Sequence, residues 1–358
     1  MKISSVIQED VQFIVEHLGA DLEPLLGKAI LITGASGFLC SYFLDVIAML
    51  NDNSGKPPCR VIALDNFKSG VPDRIEHLIK RDDIKVEHHD IRTPYRPDIA
   101  VDWIIHGASI ASPTFYRQYP LETIDVNVNG TRHMLDLAFQ NVRSLLFLST
   151  SEVYGNPDPT FIPTPETYMG KVSFTGPRAC YDESKRLAET LCATYFRLYE
   201  TPVKVVRPFN VYGPGQSLED LRIIPDLMAS AINLEPIVLY SDGSATRSFC
   251  YIRDAVQGMI HVMLSEADGE AFNIGNDAEE ISIRELAKRM GEVAAPPVLP
   301  IEYRLSQDPD YLIDNPQRRR PNLAKISSLV SWRPEVALTE GLSRTLRSYR
   351  ELSATGAF

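Results

Sequence analysis

Short apolar segments alternate with helical patterns along most of this chain, and the alternation limits the folds it can adopt. The segments are KAILIT from residue 28, RVIALDN at 60–66, IKVEHHDI at 84–91, VDWIIHGAS at 101–109, SLLFLSTSEVYG at 144–155, VKVVRPFNVYGPG at 203–215 and AFNIGN at 271–276. Short strands that are apolar throughout belong to parallel sheets covered by helices on both faces. We therefore predict an α/β fold with a doubly wound parallel sheet of the Rossmann type.

Changes in periodicity and composition along the sequence predict three regions. Residues 1–27 carry apolar side chains at spacings of three and four, which indicates a helical extension packed on the body. Residues 28–213 form the predicted NAD-binding domain, to which the strand at 271–276 returns. Beyond it, proline, glycine and short segments interleave, so we predict a smaller mixed region that binds substrate, built from 214–250 and 277–358.

Composition excludes several classes of protein. The net charge of −11 argues against binding to nucleic acid. The five cysteines are scattered without metal-ligand spacing, so we expect reduced thiols and no metal site. No apolar run approaches the length of a membrane span. We therefore expect a cytoplasmic protein that does not bind membranes.

A glycine turn follows the first apolar segment and opens a helix. In TGASGFLC, Gly34 and Gly37 let the backbone approach a pyrophosphate, which the free N–H groups of the helix N-terminus can bind. Asp65 ends the second segment, where its carboxylate can accept hydrogen bonds from ribose hydroxyls and so favours NAD over NADP. Asp90, after the third segment, is placed to meet the adenine. Cys40 replaces the third glycine of the usual spacing, from which we expect slightly looser packing.

The stretch GPRACYDESKRLAET, at 176–190, places Tyr181 and Lys185 on one side of a predicted helix. An ammonium group near a phenol favours the phenolate, and a nicotinamide cation nearby adds to this effect. Tyr181 could then accept a proton from a sugar hydroxyl at neutral pH. The same spacing also occurs on helix surfaces without function. Here it follows a glycine turn, an acidic second segment and STSEVYG, and together these favour a catalytic pair.

Taken together, these motifs resemble the extended short-chain dehydrogenase/reductases, the NAD-dependent epimerases, dehydratases and decarboxylases of nucleotide sugars. The resemblance runs from about residue 28 to about residue 345. The segments HGASIASPTFYRQYPLETIDVNVNGT, PETYMGKVSFTGPRACYDESKRLAET, RPFNVYGP, TRSFCYIRD, FNIGN and NPQRRRPN are most similar to the UDP-glucuronate decarboxylases, also called UDP-xylose synthases. The resemblance implies NAD as cofactor and a UDP-sugar, or another nucleotide sugar, as substrate.

The resemblance also implies a reaction through a 4-keto sugar. Tyr181, supported by Lys185, would take the proton of the 4-hydroxyl group, to which Thr150 would be hydrogen-bonded. The uronic acid would become a β-keto acid, whose carboxylate can leave as CO2 because the C4 ketone accepts the electrons. Glu152 and Arg319 would act at C5 and at the carboxylate, and the product would be a UDP-pentose.

Further residues are assigned to the two ligands by the same motifs. The cofactor would be bound by Gly34, Ser36, Gly37, Phe38, Leu39, Asp65, Asn66, Asp90, Ile91, Ala108, Asn127, Tyr181, Lys185 and Pro208. The substrate would be bound by Pro113, Tyr116, Glu152, Asn210, Arg222, Tyr240, Arg247 and Arg319. Arg222 and Arg247 resemble the arginines that hold the diphosphate, whereas Arg318 and Arg320 are expected to be solvated charges.

Three positions bear on the choice among members of this class. The motif of the 4,6-dehydratases has an aspartic acid at the position of Ser151, and serine cannot serve as a strong acid, so dehydration is less expected. Glu152 is a carboxylate that 4-epimerases commonly lack. Pro208 departs from the decarboxylase pattern RIFN and matches the epimerase form, so a 4-epimerase of a uronate or hexose nucleotide is the alternative. A noncatalytic NAD-binding protein usually lacks the tyrosine or the lysine, and both are present.

A homodimer is also implied by the resemblance. The predicted helices at 124–140 and 180–199 of two copies would form a four-helix bundle. Apolar side chains beyond what one core needs lie on these helices, namely Met134, Leu135, Leu187, Leu191 and Tyr195.

Overall fold

A computed structural model describes residues 3–68, 72–139, 142–294, 298–308, 310 and 312–354. Its strands are β1 Ala29–Thr33, β2 Arg60–Asp65, β3 Ile84–His88, β4 Trp103–His106, β5 Ser144–Leu148, β6 Val203–Pro208, β7 Val211–Tyr212, β8 Ile237–Leu239, β9 Thr246–Arg247, β10 Cys250–Tyr251, β11 Ala271–Ile274, β12 Ile281–Ser282, β13 Ile301–Tyr303 and β14 Arg318–Arg319.

The α-helices are α1 Ser5–Leu18, α2 Phe38–Ser54, α3 Pro113–Gln118, α4 Pro120–Asp125, α5 Thr131–Ala138, α6 Ala179–Tyr199, α7 Ile223–Asn233, α8 Ile252–Leu264, α9 Ile283–Val293, α10 Ala324–Leu329 and α11 Leu338–Ala354. A π-helical turn, Val126–Gly130, joins α4 to α5. The helix predicted at 124–140 is therefore interrupted by a wider turn, a feature that often marks functional sites. The 3₁₀ turn Ser151–Tyr154 follows β5.

Seven strands form one parallel sheet in the order β11-β6-β5-β4-β1-β2-β3. These are the seven strands that the sequence predicts, so the doubly wound fold is confirmed. After β1 the chain adds β2 and β3 on one side of it. From β4 onward it adds β5, β6 and β11 on the other side, so the strand order reverses between β1 and β4. In open α/β sheets, ligands bind at such a switch point, beyond the carboxyl ends of the strands.

Helices cover both faces of the sheet, because successive side chains of a strand point to opposite sides. Ile30 and Ile32 of β1 face one core with α1, α2, α8 and α11, whereas Leu31 faces a second core with α5 and α6. Met134 and Leu135 of α5 are fully buried in this second core. They are therefore not the surplus surface for a dimer that we expected from the sequence.

The first helix packs on the body at the spacing that the sequence indicates. Its apolar residues, Ile7, Val11, Ile14 and Leu18 among them, are buried in the first core with residues of α2, α8 and α11. Asp10 on the same helix is also buried, and it accepts hydrogen bonds from Tyr251 and Arg344, each at 2.7 Å. Burial raises the pKa of Asp10 to about 6, against the opposing effect of Arg344.

The C-terminal region adds small sheets beside the main one. In one of them β9 pairs with β12 in antiparallel and with β14 in parallel orientation. The second pairing sets Arg319 directly beside Arg247. Two of the arginines that the sequence assigns to substrate are thus held by backbone hydrogen bonds in one small sheet.

Cys40 fits tightly at the third glycine position because Gly107 has no side chain. The thiol is 2% exposed, and a Cβ atom on Gly107 would lie only 2.3 Å from Cys40 Sγ. The space for the thiol therefore comes from Gly107, immediately after β4, and not from the looser packing that we expected.

We expect Gly107→Ala to lower the free energy of unfolding by about 1–3 kcal/mol, because the added methyl overlaps Cys40 Sγ. In a Cys40→Ala background the same change should cost less, since the sulfur is gone. Urea unfolding of the four proteins gives the coupling energy between the two positions. Additive effects would contradict the shared space.

Candidate active site

A cavity of about 830 Å³ opens beyond the carboxyl ends of the central strands, at the switch point of the sheet. It extends from the glycine turn to Arg319 in the C-terminal region. Residues from the sequence assignment that line it are Gly34, Gly37, Phe38, Leu39, Asp65, Asn66, Asp90, Ile91, Ala108, Pro113, Tyr116, Thr150, Glu152, Tyr181, Lys185, Pro208, Asn210, Arg222, Tyr240, Arg247 and Arg319. The fold thus brings nearly all of the assigned residues to one place.

Ser36 and Asn127 are the assigned residues that do not line the cavity. The amide and hydroxyl groups of Ser36 both donate to Asp65 Oδ2 at 2.8 Å. The side chain of Asn127 is fully buried, where it accepts from Ser109 and donates to Ser184. Each side chain is instead bonded to a residue that lines the cavity, Asp65 for Ser36 and Ser109 for Asn127.

The glycine turn has the geometry that a pyrophosphate requires. Gly34 has a φ of +68°, and a Cβ atom there would lie 2.8 Å from the backbone nitrogen of Ala108. Helix α2 begins after Gly37, and no side chain caps its first N–H groups. These N–H groups lie at the positive end of the helix dipole and beside the cavity, which Gly37, Phe38 and Leu39 line. The turn therefore fits the diphosphate of NAD.

Asp65 and Asp90 are both held in place by local hydrogen bonds. Asp65 Oδ1 accepts from the Phe67 amide at 2.7 Å, while its other oxygen is bonded to Ser36. Asp90 accepts from the guanidinium group of Arg92, and that bond lowers the pKa of Asp90 to about 2. Both carboxylates line the cavity, where they can still accept hydrogen bonds from a dinucleotide.

Tyr181 and Lys185 lie one helical turn apart in α6, and both are nearly inaccessible to solvent. The ring of Tyr181 stacks on Tyr116 at 4.9 Å, with 6° between the planes. Lys185 Nζ donates to the carbonyl oxygen of Leu148 at 2.9 Å and lies 4.9 Å from the ring of Phe147. Burial lowers the pKa of Lys185 to about 8.

Burial opposes the phenolate that we expected beside Lys185 and the nicotinamide cation. Burial raises the pKa of Tyr181 above its usual value. A hydrogen bond from Thr150 and the charge of Arg222 oppose that rise. The ammonium group of Lys185 is instead directed to a backbone carbonyl. Activation of Tyr181 therefore requires a further positive charge.

Glu152 lies between two guanidinium groups. Arg319 binds both oxygens of its carboxylate, with 2.9 Å from Nη2 to Oε2, and Arg178 Nη2 binds Oε2 at 2.5 Å. Burial acts to raise the pKa of Glu152, but Arg178 and Arg319 outweigh it and hold that pKa well below its usual range. The carboxylate is therefore ionised at neutral pH.

Arg178 and Asp182 were missed by the sequence analysis, although both lie within the GPRACYDESK stretch. The guanidinium group of Arg178 lies over the ring of Tyr116. It also contacts Glu152, which comes 26 residues earlier in the chain. Asp182 is buried, and burial together with Glu152 raises its pKa to about 8. Several buried polar atoms around this cluster have no hydrogen-bond partner among the described residues: Tyr116 Oη, Arg178 Nε, Asp182 Oδ1 and Arg319 Nε.

Of three consecutive arginines, Arg319 alone lines the cavity. Arg318 forms a two-pronged ion pair with Glu280 and is half exposed. Arg320 donates to the backbone oxygen of Asp277. The alternation of side chains along β14 thus selects the middle arginine, as the motif indicates.

The two arginines assigned to the diphosphate differ in their freedom. Arg222 pairs with Asp220 and keeps part of its side chain exposed in the cavity. Arg247 is 8% exposed and donates to Asn315 Oδ1 at 2.9 Å and to the Pro316 oxygen at 2.7 Å. Burial, with Arg319 adding to it, lowers the pKa of Arg247 to about 9.

Within the described part of the chain, no cluster of histidine, cysteine and acidic side chains could hold a metal ion. None of the helices described is both long and apolar enough to cross a membrane.

The glycine turn, Asp65 and the Tyr181–Lys185 pair have their counterpart in a known class. The chain belongs to the NAD dependent epimerase/dehydratase family, whose model matches residues 30–275. The family and the NAD dependence predicted from the sequence are thereby confirmed.

Relatives of the chain within this family include UDP-glucuronic acid decarboxylases. The chain is 38% identical over 322 residues to UDP-glucuronic acid decarboxylase 4 of Arabidopsis thaliana, covering 90% of this chain and 68% of that protein. It is 38% identical over 326 residues to UDP-glucuronic acid decarboxylase 1 of Danio rerio, covering 91% and 73%. The structure of a dTDP-glucose 4,6-dehydratase of Streptomyces venezuelae with NAD bound matches with a TM-score of 0.78 and 25% identity, covering 91% and 98%.

Proposed function

We propose that this protein is a UDP-glucuronate decarboxylase that forms a UDP-pentose through a 4-keto sugar. The observation that carries the proposal is the pair of guanidinium groups, Arg178 and Arg319, in the same cavity as Tyr181. Two guanidinium groups facing one carboxylate leave an excess positive charge that suits a uronate. The identity to curated decarboxylases over 90% of the chain supports the same substrate.

Oxidation at C4 is the first task of the site. NAD+, held by the glycine turn and Asp65, would supply the acceptor for the C4 hydride. Tyr181 takes the proton of the 4-hydroxyl group, and Thr150 holds that hydroxyl by a hydrogen bond. Since burial raises the pKa of Tyr181, its deprotonation has to be coupled to the positive charge of the bound cofactor. Lys185, with a pKa of about 8, contributes further positive charge nearby.

Loss of CO2 follows from the 4-keto sugar. The bond between C5 and C6 breaks, its electrons move toward the C4 ketone, and the C5 carbanion is stabilised as an enolate. Arg319 binds the carboxylate before it leaves, in competition with Glu152. Glu152 is ionised while Arg178 and Arg319 hold it, so in that arrangement it acts by charge and position, and C5 gains a proton after CO2 has left. Ser151 offers no acid for a dehydration.

The primary test is proton NMR of the protein with UDP-glucuronic acid and NAD+. We expect a pentose anomeric signal and two new C5 protons. Tyr181→Phe should bind NAD but turn over at least about a hundredfold more slowly, because the proton acceptor is lost. Tyr303→Phe, an exposed tyrosine of β13, is the control and should retain activity.

Normal turnover in Tyr181→Phe would contradict the assignment of that residue. A galacturonate signal with C6 retained would identify a 4-epimerase instead, which is the activity that Pro208 resembles.

The role of Glu152 predicts a split between the two chemical steps. Glu152→Ala should still oxidise C4, seen as absorbance of reduced cofactor on adding UDP-glucuronic acid. We expect it to release CO2 about a hundredfold more slowly, because Arg178 and Arg319 lose the group that positions them. The control is Glu302→Ala, which removes a carboxylate paired with the exposed Arg304. CO2 release at the normal rate in Glu152→Ala would exclude Glu152 from the mechanism.

We also propose a homodimer formed through α4 and α6. Large apolar side chains remain exposed on these helices in the single chain: Leu121, Ile124, Leu187, Leu198 and Tyr199. Large apolar side chains left exposed on two neighbouring helices favour association. Because the surface includes α6, which carries Tyr181 and Lys185, assembly would brace the catalytic helix.

Light scattering should give twice the chain mass of 40.1 kDa for the unaltered protein. Leu198→Arg should shift the protein toward monomer, because the charge enters the apolar contact. Leu234→Arg, at a similarly exposed leucine following α7, should leave the dimer intact. A monomer for the unaltered chain would refute the dimer.

The division into an extension at 1–27, a domain at 28–213 with 271–276, and a substrate region from 214–250 and 277–358 is likewise our proposal. So is a cytoplasmic location, which the five unpaired cysteines support.

A further inference from the structure

A buried histidine that the mechanism does not use lies next to the glycine turn. His106 ends β4 and is 1% exposed. Its Nδ1 atom lies 2.8 Å from the hydroxyl of Thr33, at the end of β1. Its Nε2 atom lies 3.0 Å from the hydroxyl of Thr131, at the start of α5.

The direction of every hydrogen bond in this group follows from one short contact. Thr131 Oγ1 lies 2.6 Å from the backbone oxygen of Asn127, and only Thr131 can supply the proton between those two oxygens. Thr131 must then accept from His106 Nε2–H. The unprotonated Nδ1 atom accepts from Thr33, whose oxygen accepts in turn from the Ala108 amide at 3.3 Å. The geometry therefore places a proton on Nε2, and a neutral imidazole with this proton leaves Nδ1 as the acceptor for Thr33.

The surroundings of the ring agree with a neutral state. Burial lowers the pKa of His106 to about 3, and the charge of Lys185 adds to that effect. A protonated ring would present two donors, and the Thr33 proton would lose its acceptor. The chain of hydrogen bonds thus runs one way only, from Ala108 N–H to Asn127 O.

A second set of bonds continues from Asn127 to the catalytic helix. Ser109 donates to Asn127 Oδ1 at 2.7 Å, and Asn127 Nδ2 donates to Ser184 Oγ at 2.9 Å. Ser184 Oγ in turn donates to the backbone oxygen of Cys180 at 2.5 Å and lies 3.0 Å from the backbone oxygen of Tyr181. The turn after β4, the π-helical turn and the start of α6 are therefore linked through Asn127.

We infer that His106 is a positioning residue for the cofactor site, which holds the 107–109 turn and the π-helical turn at 126–130 in fixed register. The inference depends on NAD binding, which the family has, and not on the identity of the sugar. It gives Asn127 a supporting role in place of the direct contact expected from the sequence.

The test compares two buried threonines that make the same bond within a helix. Thr131→Val and Thr345→Val each remove a hydroxyl that donates to the carbonyl four residues earlier, at 2.6 and 2.7 Å. Both side chains are nearly fully buried, but Thr345 lies in α11, away from the cofactor turn. We expect similar losses in Tm and an NAD+ Kd raised about tenfold in Thr131→Val alone. An unchanged Kd in Thr131→Val would overturn the inference.

A measurement on the unaltered protein keeps the inference testable if Thr131→Val does not fold. The 15N chemical shifts of the His106 ring, assigned with His106→Gln, should show a proton on Nε2 and none on Nδ1. A proton on Nδ1 would contradict the proposed direction of the bonds. Neither experiment includes a sugar nucleotide, so failure of the decarboxylase proposal would leave both results interpretable.

Discussion

The site depends on one buried carboxylate and the two guanidinium groups that neutralise it. Glu152 follows β5, Arg178 precedes α6, and Arg319 comes 167 residues after Glu152 in the chain. Removal of one partner from a buried ion pair costs about 3–5 kcal/mol, so the three groups have to be present together. The cluster therefore fixes the C-terminal region at the edge of the main sheet. It also places two guanidinium groups in the lining of the cavity.

Much of this arrangement could be predicted from local sequence. The seven strands are short and apolar, and each is bounded by turn residues, so periodicity alone locates them. Gly34 is needed because a Cβ atom there would lie 2.8 Å from the backbone of Ala108. Arg178 could not be found in the same way. Its importance comes from Glu152, 26 residues earlier, and helical spacing contains no information about that contact.

Electrostatic effects at the site depend on contacts that local spacing does not contain. The i, i+4 spacing of Tyr181 and Lys185 correctly places both on one side of a helix, but it does not give the direction of the ammonium group. In the folded protein that group is bonded to Leu148 O, and burial dominates the pKa of the phenol. Cys40 shows the same limit for packing. Its thiol is accommodated by Gly107, a residue from another strand end that no local pattern connects to it.

The contact between the first and last helices has a consequence for how the chain is made. Asp10 is buried with Arg344, 334 residues further along, and Ser4 is bonded to Ser348. During synthesis at the ribosome, α1 emerges long before Arg344 and Ser348, whereas Tyr251, the other partner of Asp10, is made between them. The apolar face of α1 can pack on α2 early, but the Asp10 carboxylate lacks its charged partner Arg344 until α11 has been released. The polar contacts of α1 are thus completed only after α11 has been released, and a nascent chain halted before α11 would lack the ion pair between Asp10 and Arg344.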